Sequence, residues 1–296
     1  NHYEDDKNRS LVDKLVNIGN AYQLLDEFKE AKTYLERAIS ILSDDVEFSE
    51  SDILMATALT NLGEVHGRMG DTLEQKKVLE QALNIKQDSL GVEHLSVAAT
   101  LMNLANCHHD LGNVESMERL LQKAVAIRER HYGKDHVLVA EVLVNLAIAM
   151  GEIGDLDVSV DLFERALGIQ TSQLGDENPV VAATLSNLGA AYGDLGEIED
   201  QLKVLQRALT ILERTHGLKH PSLVVPLTNL SEAHCDMEEF EEMKQTLQRV
   251  RSIQEEKLGE DHVDLADTLE RLGQAESRLG NFEECKVCLE KALDIQ

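Results

Sequence analysis

The chain has 296 residues, 43% of them apolar but only 3% aromatic and none Trp, so its core must be built of Leu, Ile, Val and Ala. Its 55 acidic against 28 basic residues give a formal net charge of −27, which repels phosphate backbones and anionic lipid and excludes nucleic acid and direct membrane binding as partners. Three prolines, 18 glycines and no apolar run of the roughly 18 residues that cross a bilayer point to an all-α cytoplasmic protein.

In chain order, helical hairpins are predicted at approximately 8–43, 52–90, 95–132, 137–174, 179–216, 221–258 and 263–296, forming a single array over 1–296. Three registers define them. Asn17 is followed by Asn61 after 44 residues, then Asn103, Asn145, Asn187 and Asn229 follow at steps of 42, and Arg271 holds the next place. Gly91, Gly133, Gly175, Gly217 and Gly259 keep the same step, each followed three residues later by His94, His136, Asn178, His220 or His262. Ala82, Ala124, Ala166 and Ala208 make the third series, with Ile85, Ile127, Ile169 and Ile211 just beyond. Within the third unit, Val97, Leu101, Leu104 and Ala105 fall at helical spacing, Gly112-Asn113 signals a turn, and Met117, Leu121, Ala124 and Ile127 define a second helix. One such hairpin cannot bury its apolar face, whereas stacked neighbours can.

The pattern Leu-Gly-x-x-His-Pro, then Leu-x-Asn-Leu-Gly/Ala, then Gly, then Ala-Leu-x-Ile resembles the long tetratricopeptide repeats of kinesin light chains. The best match is the segment 174–189, and the likeness spans about residues 11–296. It implies a right-handed superhelix of about seven hairpins whose concave groove is lined by the first helices. It also implies that the ladder asparagines hold the main chain of an extended peptide. The pattern departs at the acidic joint 43–52, which lacks the Gly-x-x-His signal and predicts a loose or repositioned first hairpin. Unit six carries Glu238 in place of the turn glycine, Arg251 in place of an aliphatic residue, and Pro226 near a helix start. The chain begins without Met and stops inside a second helix, so a piece of a longer protein is expected.

The ladder of Asn17, Asn61, Asn103, Asn145, Asn187 and Asn229 is the sharpest candidate site. Asn is a mediocre helix former, and its amide offers the donor and acceptor that a peptide backbone requires. Residues three or four before and after each Asn share its face, and the groove positions of the resembled family agree. They include Glu64, Asp110, Glu152, Asp194, Glu232 and Asp236, with Asp13, Glu141, Asp267 and Glu270, against two bases, Arg68 and Arg278. Kinesin light chains take acidic peptides in their groove; this groove is expected to reject them and accept a neutral or basic segment. The alternative for the asparagines is that each ties its helix to a neighbour.

Other motifs read more simply. The turn histidines are expected to cap first helices, and His66, His108 and His234 to pack where Tyr is usual. The run 107–110 (Cys-His-His-Asp) splays around a helix and cannot converge on a metal. Cys285 and Cys288 read as buried small hydrophobes, and Gly189, Gly193 and Gly196 as helix register. No catalytic motif and no cofactor is indicated. The expected function is a non-enzymatic scaffold that binds a protein or peptide. The competing reading is an architectural rod or self-associating spacer whose groove is idle.

Overall fold

The computed structural model describes residues 2–43 and 51–295, so the predicted joint at 43–52 lies almost entirely outside the described residues. The described residues form an all-α helical repeat fold with two compact units. Unit 1, Asn1–Ile153, contains α1 (His2–Leu24), α2 (Phe28–Ser43), α3 (Ser51–Arg68), α4 (Thr72–Leu90), α5 (Leu95–Asp110), α6 (Val114–Tyr132) and α7 (Val137–Ile153). Unit 2, Gly154–Gln296, contains α8 (Leu156–Leu174), α9 (Pro179–Leu195), α10 (Ile198–His216), a 3-10 turn (Pro221–Leu223), α11 (Val224–Asp236), α12 (Phe240–Leu258), α13 (Asp264–Arg278) and α14 (Phe282–Ile295). No described helix is long and apolar enough to cross a membrane.

From α5 onward, the turn into each first helix, or into the 3-10 turn before α11, carries a side-chain cap. The imidazole Nδ1 of His94 accepts the Ser96 backbone N–H at 3.2 Å, and His136, His220 and His262 do the same for Leu138, Ser222 and Asp264 at 3.1, 3.2 and 3.2 Å. Asn178 caps α9 through Val180 at 2.9 Å. These bonds satisfy backbone donors that have no partner within the helix. Between the helices of a hairpin the backbone turns left-handed, at Gly112 with φ 68° and at Gly196 with φ 78°. Asp26 and Glu238 adopt the same turn as non-glycine residues, with φ 57° and 59°.

Helices approach closely where the side chain is small. A Cβ on Gly189 would stand 2.6 Å from Leu205 Cδ2, and one on Gly63 2.8 Å from the Leu79 side chain. The cores are aliphatic: Val12, Leu15, Leu35, Leu59 and Leu62 in unit 1, and Val181, Leu185, Leu209, Leu223 and Ile253 in unit 2 are all buried. Unit six bears the marks of its sequence. Pro226 sits in the first turn of α11, which is only 13 residues long and is preceded by a 3-10 turn rather than a regular helical start.

Cys285 and Cys288 depart from the expectation of burial and are half-buried. On α14 the apolar positions Phe282, Leu289 and Leu293 are likewise exposed, because no described helix covers that side. The three histidines at the usual Tyr position do pack inward, with His66 and His108 buried and His234 half-buried. His66 and His234 each also turn Nδ1 to a carboxylate of the following turn, Asp71 at 3.2 Å and Glu239 at 2.9 Å. Lys86 is buried on α4, its ammonium donating to the hydroxyls of Thr60 and Thr100 at 2.8 and 2.7 Å.

Candidate functional site

In unit 1 the first helices α1, α3 and α5 share one face, because residues from all three line a single cavity of about 690 Å³. Asn20 and Gln23 come from α1, Glu64, Gly67 and Arg68 from α3, and Asn103 and Asn106 from α5; Gln75 of α4 reaches the same space. Five of these side chains are carboxamides. Asn61 lies at the edge of this set and is already engaged: its Nδ2 donates to Asn20 Oδ1 at 2.7 Å, while Gln23 Nε2 donates to the Asn61 carbonyl at 3.3 Å. Asn17 is exposed on α1, and Asn103 and Asn145 are half-buried. Two turns beyond the ladder stand Arg68, Asp110 and Glu152, all exposed. Arg68 lies 5.3 Å above the Phe28 ring and bonds Asp26 at 3.1 Å, and Glu152 bonds His109 Nε2 at 2.8 Å. Glu141 is taken by Arg128 at 2.6 Å. Partial desolvation raises the Glu64 carboxyl above its ordinary value, even though the side chain opens to the cavity, and Lys86 partly opposes the shift.

In unit 2 the first helices α9, α11 and α13 carry Asn187, Asn229 and, in ladder register, Arg271. Asn187 and Asn229 are half-buried. Asn229 Nδ2 reaches back to the Ser186 carbonyl at 3.2 Å, so here too a ladder amide joins one first helix to the one before. Asp194 and Asp236 are exposed. Glu232 is not free: Arg271 binds it and also Asp267. Arg278 lies 5.6 Å above Phe240, repeating the Arg68–Phe28 arrangement of unit 1.

The ladder, its acids and the in-register Arg271 stand out in the sequence, whereas Asn20, Asn106 and Gln75 join them only in the structure. Asn20 and Asn106 stand three residues after Asn17 and Asn103, on the same helical stripe, and were legible by that rule. Arg271 was in plain register with the asparagines. Gln75 was not legible, although its partner glycine gave a signal: Gly67 with Gln75 recurs as Gly193 with Gln201, three repeat periods later. In both pairs the glutamine amide lies where a glycine Cβ would be, 2.7 Å away at Gly67 and 2.6 Å at Gly193. Four consecutive first helices, α5, α7, α9 and α11, carry no Lys or Arg at all.

The family model described as tetratricopeptide repeat matches at residues 10–88, 54–115, 96–172, 139–214, 180–242 and 222–296. Among solved structures, the chain is similar to a putative kinesin light chain of Podosopora anserina with nearly identical TPR-like repeats, at 25% identity and TM-score 0.60, covering 72% of this chain and 99% of that one. It is similar to the apo form of RapI at 13% identity and TM-score 0.73, covering 96% and 97%. A third similarity is to the Rap conjugation gene regulator of plasmid pLS20 in complex with the Phr* peptide, at 14% identity and TM-score 0.58, covering 95% and 72%. A comparison with curated proteins finds no match.

Proposed function

The chain belongs to the tetratricopeptide repeat family, and on that footing we propose that it is a non-enzymatic scaffold whose first-helix faces bind an extended, neutral or basic peptide segment of a partner protein. The observation that carries this reading is the carboxamide-lined cavity of unit 1, where Asn103 and Asn106 stand beside Asn20 and Gln23. Carboxamides both donate and accept, which matches a peptide main chain and no particular charge. The absence of Lys and Arg from α5, α7, α9 and α11 supports rejection of acidic segments. Binding of the Phr* peptide by a structurally similar Rap regulator supports the peptide class. In this reading the residues that meet a ligand are Asn103 and Asn145 with Asp110 on unit 1, and Asn187 with Asp194 and Asp236 on unit 2. Asn61 and Asn229 serve at least partly as ties between helices.

That division of labour is also the specific support for the competing reading, an architectural rod or self-associating spacer. The discriminating experiment selects peptides from a displayed random library on the intact chain. It then measures the affinity of the best peptide for wild type and for the double variant Asn103→Ala, Asn145→Ala. Each lost main-chain hydrogen bond is worth about 0.5–1.5 kcal/mol net, so affinity should fall roughly 5- to 100-fold. The variant should melt no lower, since Ala is the better helix former. Selection of acid-rich peptides would overturn the charge preference, and failure to select any peptide, or equal binding by a variant that melts lower, would overturn the proposal in favour of the rod.

A further inference from the structure

The unit 1 cavity places a buried, unserved acceptor beside a carboxylate. Three donors beside it are already used inside the protein: Gln23 Nε2 on the Asn61 carbonyl at 3.3 Å, Asn61 Nδ2 on Asn20 Oδ1 at 2.7 Å, and one Arg68 N–H on Asp26 at 3.1 Å. Two acceptors stand apart from these bonds. Gln75 Oε1 is buried with no hydrogen-bond partner among the described residues. Glu64 opens to the same cavity, and the cation that acts on it, Lys86, spends its ammonium on Thr60 and Thr100. Gly67 lines the same cavity, and a Cβ there would stand 2.7 Å from Gln75 Nε2 and 3.0 Å from its Oε1.

From this geometry we infer that the cavity at Gly67 is a side-chain pocket for a lysine or arginine of the bound peptide; the inference rests on the peptide reading above. A guanidinium brings five N–H donors and an ammonium three, enough to serve the Glu64 carboxylate and the Gln75 oxygen together. The terminal torsion of a glutamine amide is broad, so Oε1 turns toward the cavity without leaving its rotamer. A carboxylate entering here meets Glu64 with like charge, and an aliphatic side chain leaves both acceptors without a donor. Asn103, on the cavity wall, is the ladder residue placed to hold the main chain beside the inserted side chain.

The test uses the full chain, labelled for NMR, titrated with N-acetyl-arginine methylamide and with its neutral isostere N-acetyl-citrulline methylamide. The arginine probe should shift the backbone amides of Gly67, Asn103 and Asn106 and the side-chain amide of Gln75. It should bind about tenfold more tightly than the citrulline probe, the margin by which a charged hydrogen bond exceeds a neutral one. Glu64→Gln should erase that preference, and Gly67→Ala, which pushes a methyl into the Gln75 amide, should weaken both probes while the melting temperature is checked alongside. Equal binding of the two probes, shifts confined to other residues, no shift at all, or a preference that survives Glu64→Gln would each overturn the pocket. Any of these would leave the peptide reading to stand or fall on the asparagine variants, whose test does not depend on ligand charge.

Discussion

Replacing Glu238 by glycine should stabilise unit 2. Glu238 turns the chain between α11 and α12 with φ 59°, where Gly70, Gly112, Gly154, Gly196 and Gly280 hold the corresponding turns with φ between 68° and 93°. A left-handed conformation costs a residue with a Cβ about 1–2 kcal/mol. Glycine relieves that cost but loses about 0.4–1 kcal/mol through the greater freedom of its unfolded chain. The net gain for Glu238→Gly is therefore roughly 0–1.6 kcal/mol, centred on about 0.8. Glu238→Gln controls for removal of one negative charge from a chain of net charge −27 and should recover only a minor part of the gain. Urea unfolding gives the equilibrium shift. Hydrogen exchange locates it: amides of α11 and α12, which should exchange fastest among the interior helices of wild type, should become more protected. Because each repeat contacts only its neighbours, the effect should fade within about one hairpin on either side. A Glu238→Gly protein no more stable than Glu238→Gln, or protection gained far from the turn, would refute the argument from strain.

Gly189→Val forces methyl groups against Leu205, where even a Cβ would stand at 2.6 Å, and should destabilise the chain by about 1–3 kcal/mol in the same urea assay. His220→Ala removes the cap on the Ser222 N–H and should cost about 1 kcal/mol, with the loss centred on the 3-10 turn and α11 by hydrogen exchange. Burial lowers the pKa of Lys86, so above the folded value the unfolded chain binds more protons and raising the pH favours the folded state. Wild type should therefore gain stability relative to Lys86→Met as pH rises from about 7 toward the ordinary lysine value near 10, and a flat difference between the two proteins would contradict the assignment.

The all-α repeat fold was fully legible, because its causes are local. Helical spacing of Val97, Leu101, Leu104 and Ala105 fixes the buried stripe of α5, and the glycines after each second helix and the following cap residues fix the breaks. The caps themselves could be read one by one, since each links residues only two positions apart in sequence. Which residues of one helix point together, such as Asn103 and Asn106 on α5, was legible for the same reason, from the phase of the helix. What those residues meet was not. Asn61 and Asn20, Glu152 and His109, and Glu232 and Arg271 are bonded pairs 41, 43 and 39 residues apart. Periodicity gives a long side chain its direction but not its partner, which depends on how neighbouring helices settle against one another. An acidic face counted from sequence thus proves partly neutralised, with Glu141, Glu152 and Glu232 already paired. The cavity at Gly67 belongs to this second class. Its wall joins residues of α1, α3 and α5 with a glutamine of α4 that lies close to the bare Gly67, and only packing between helices decides that.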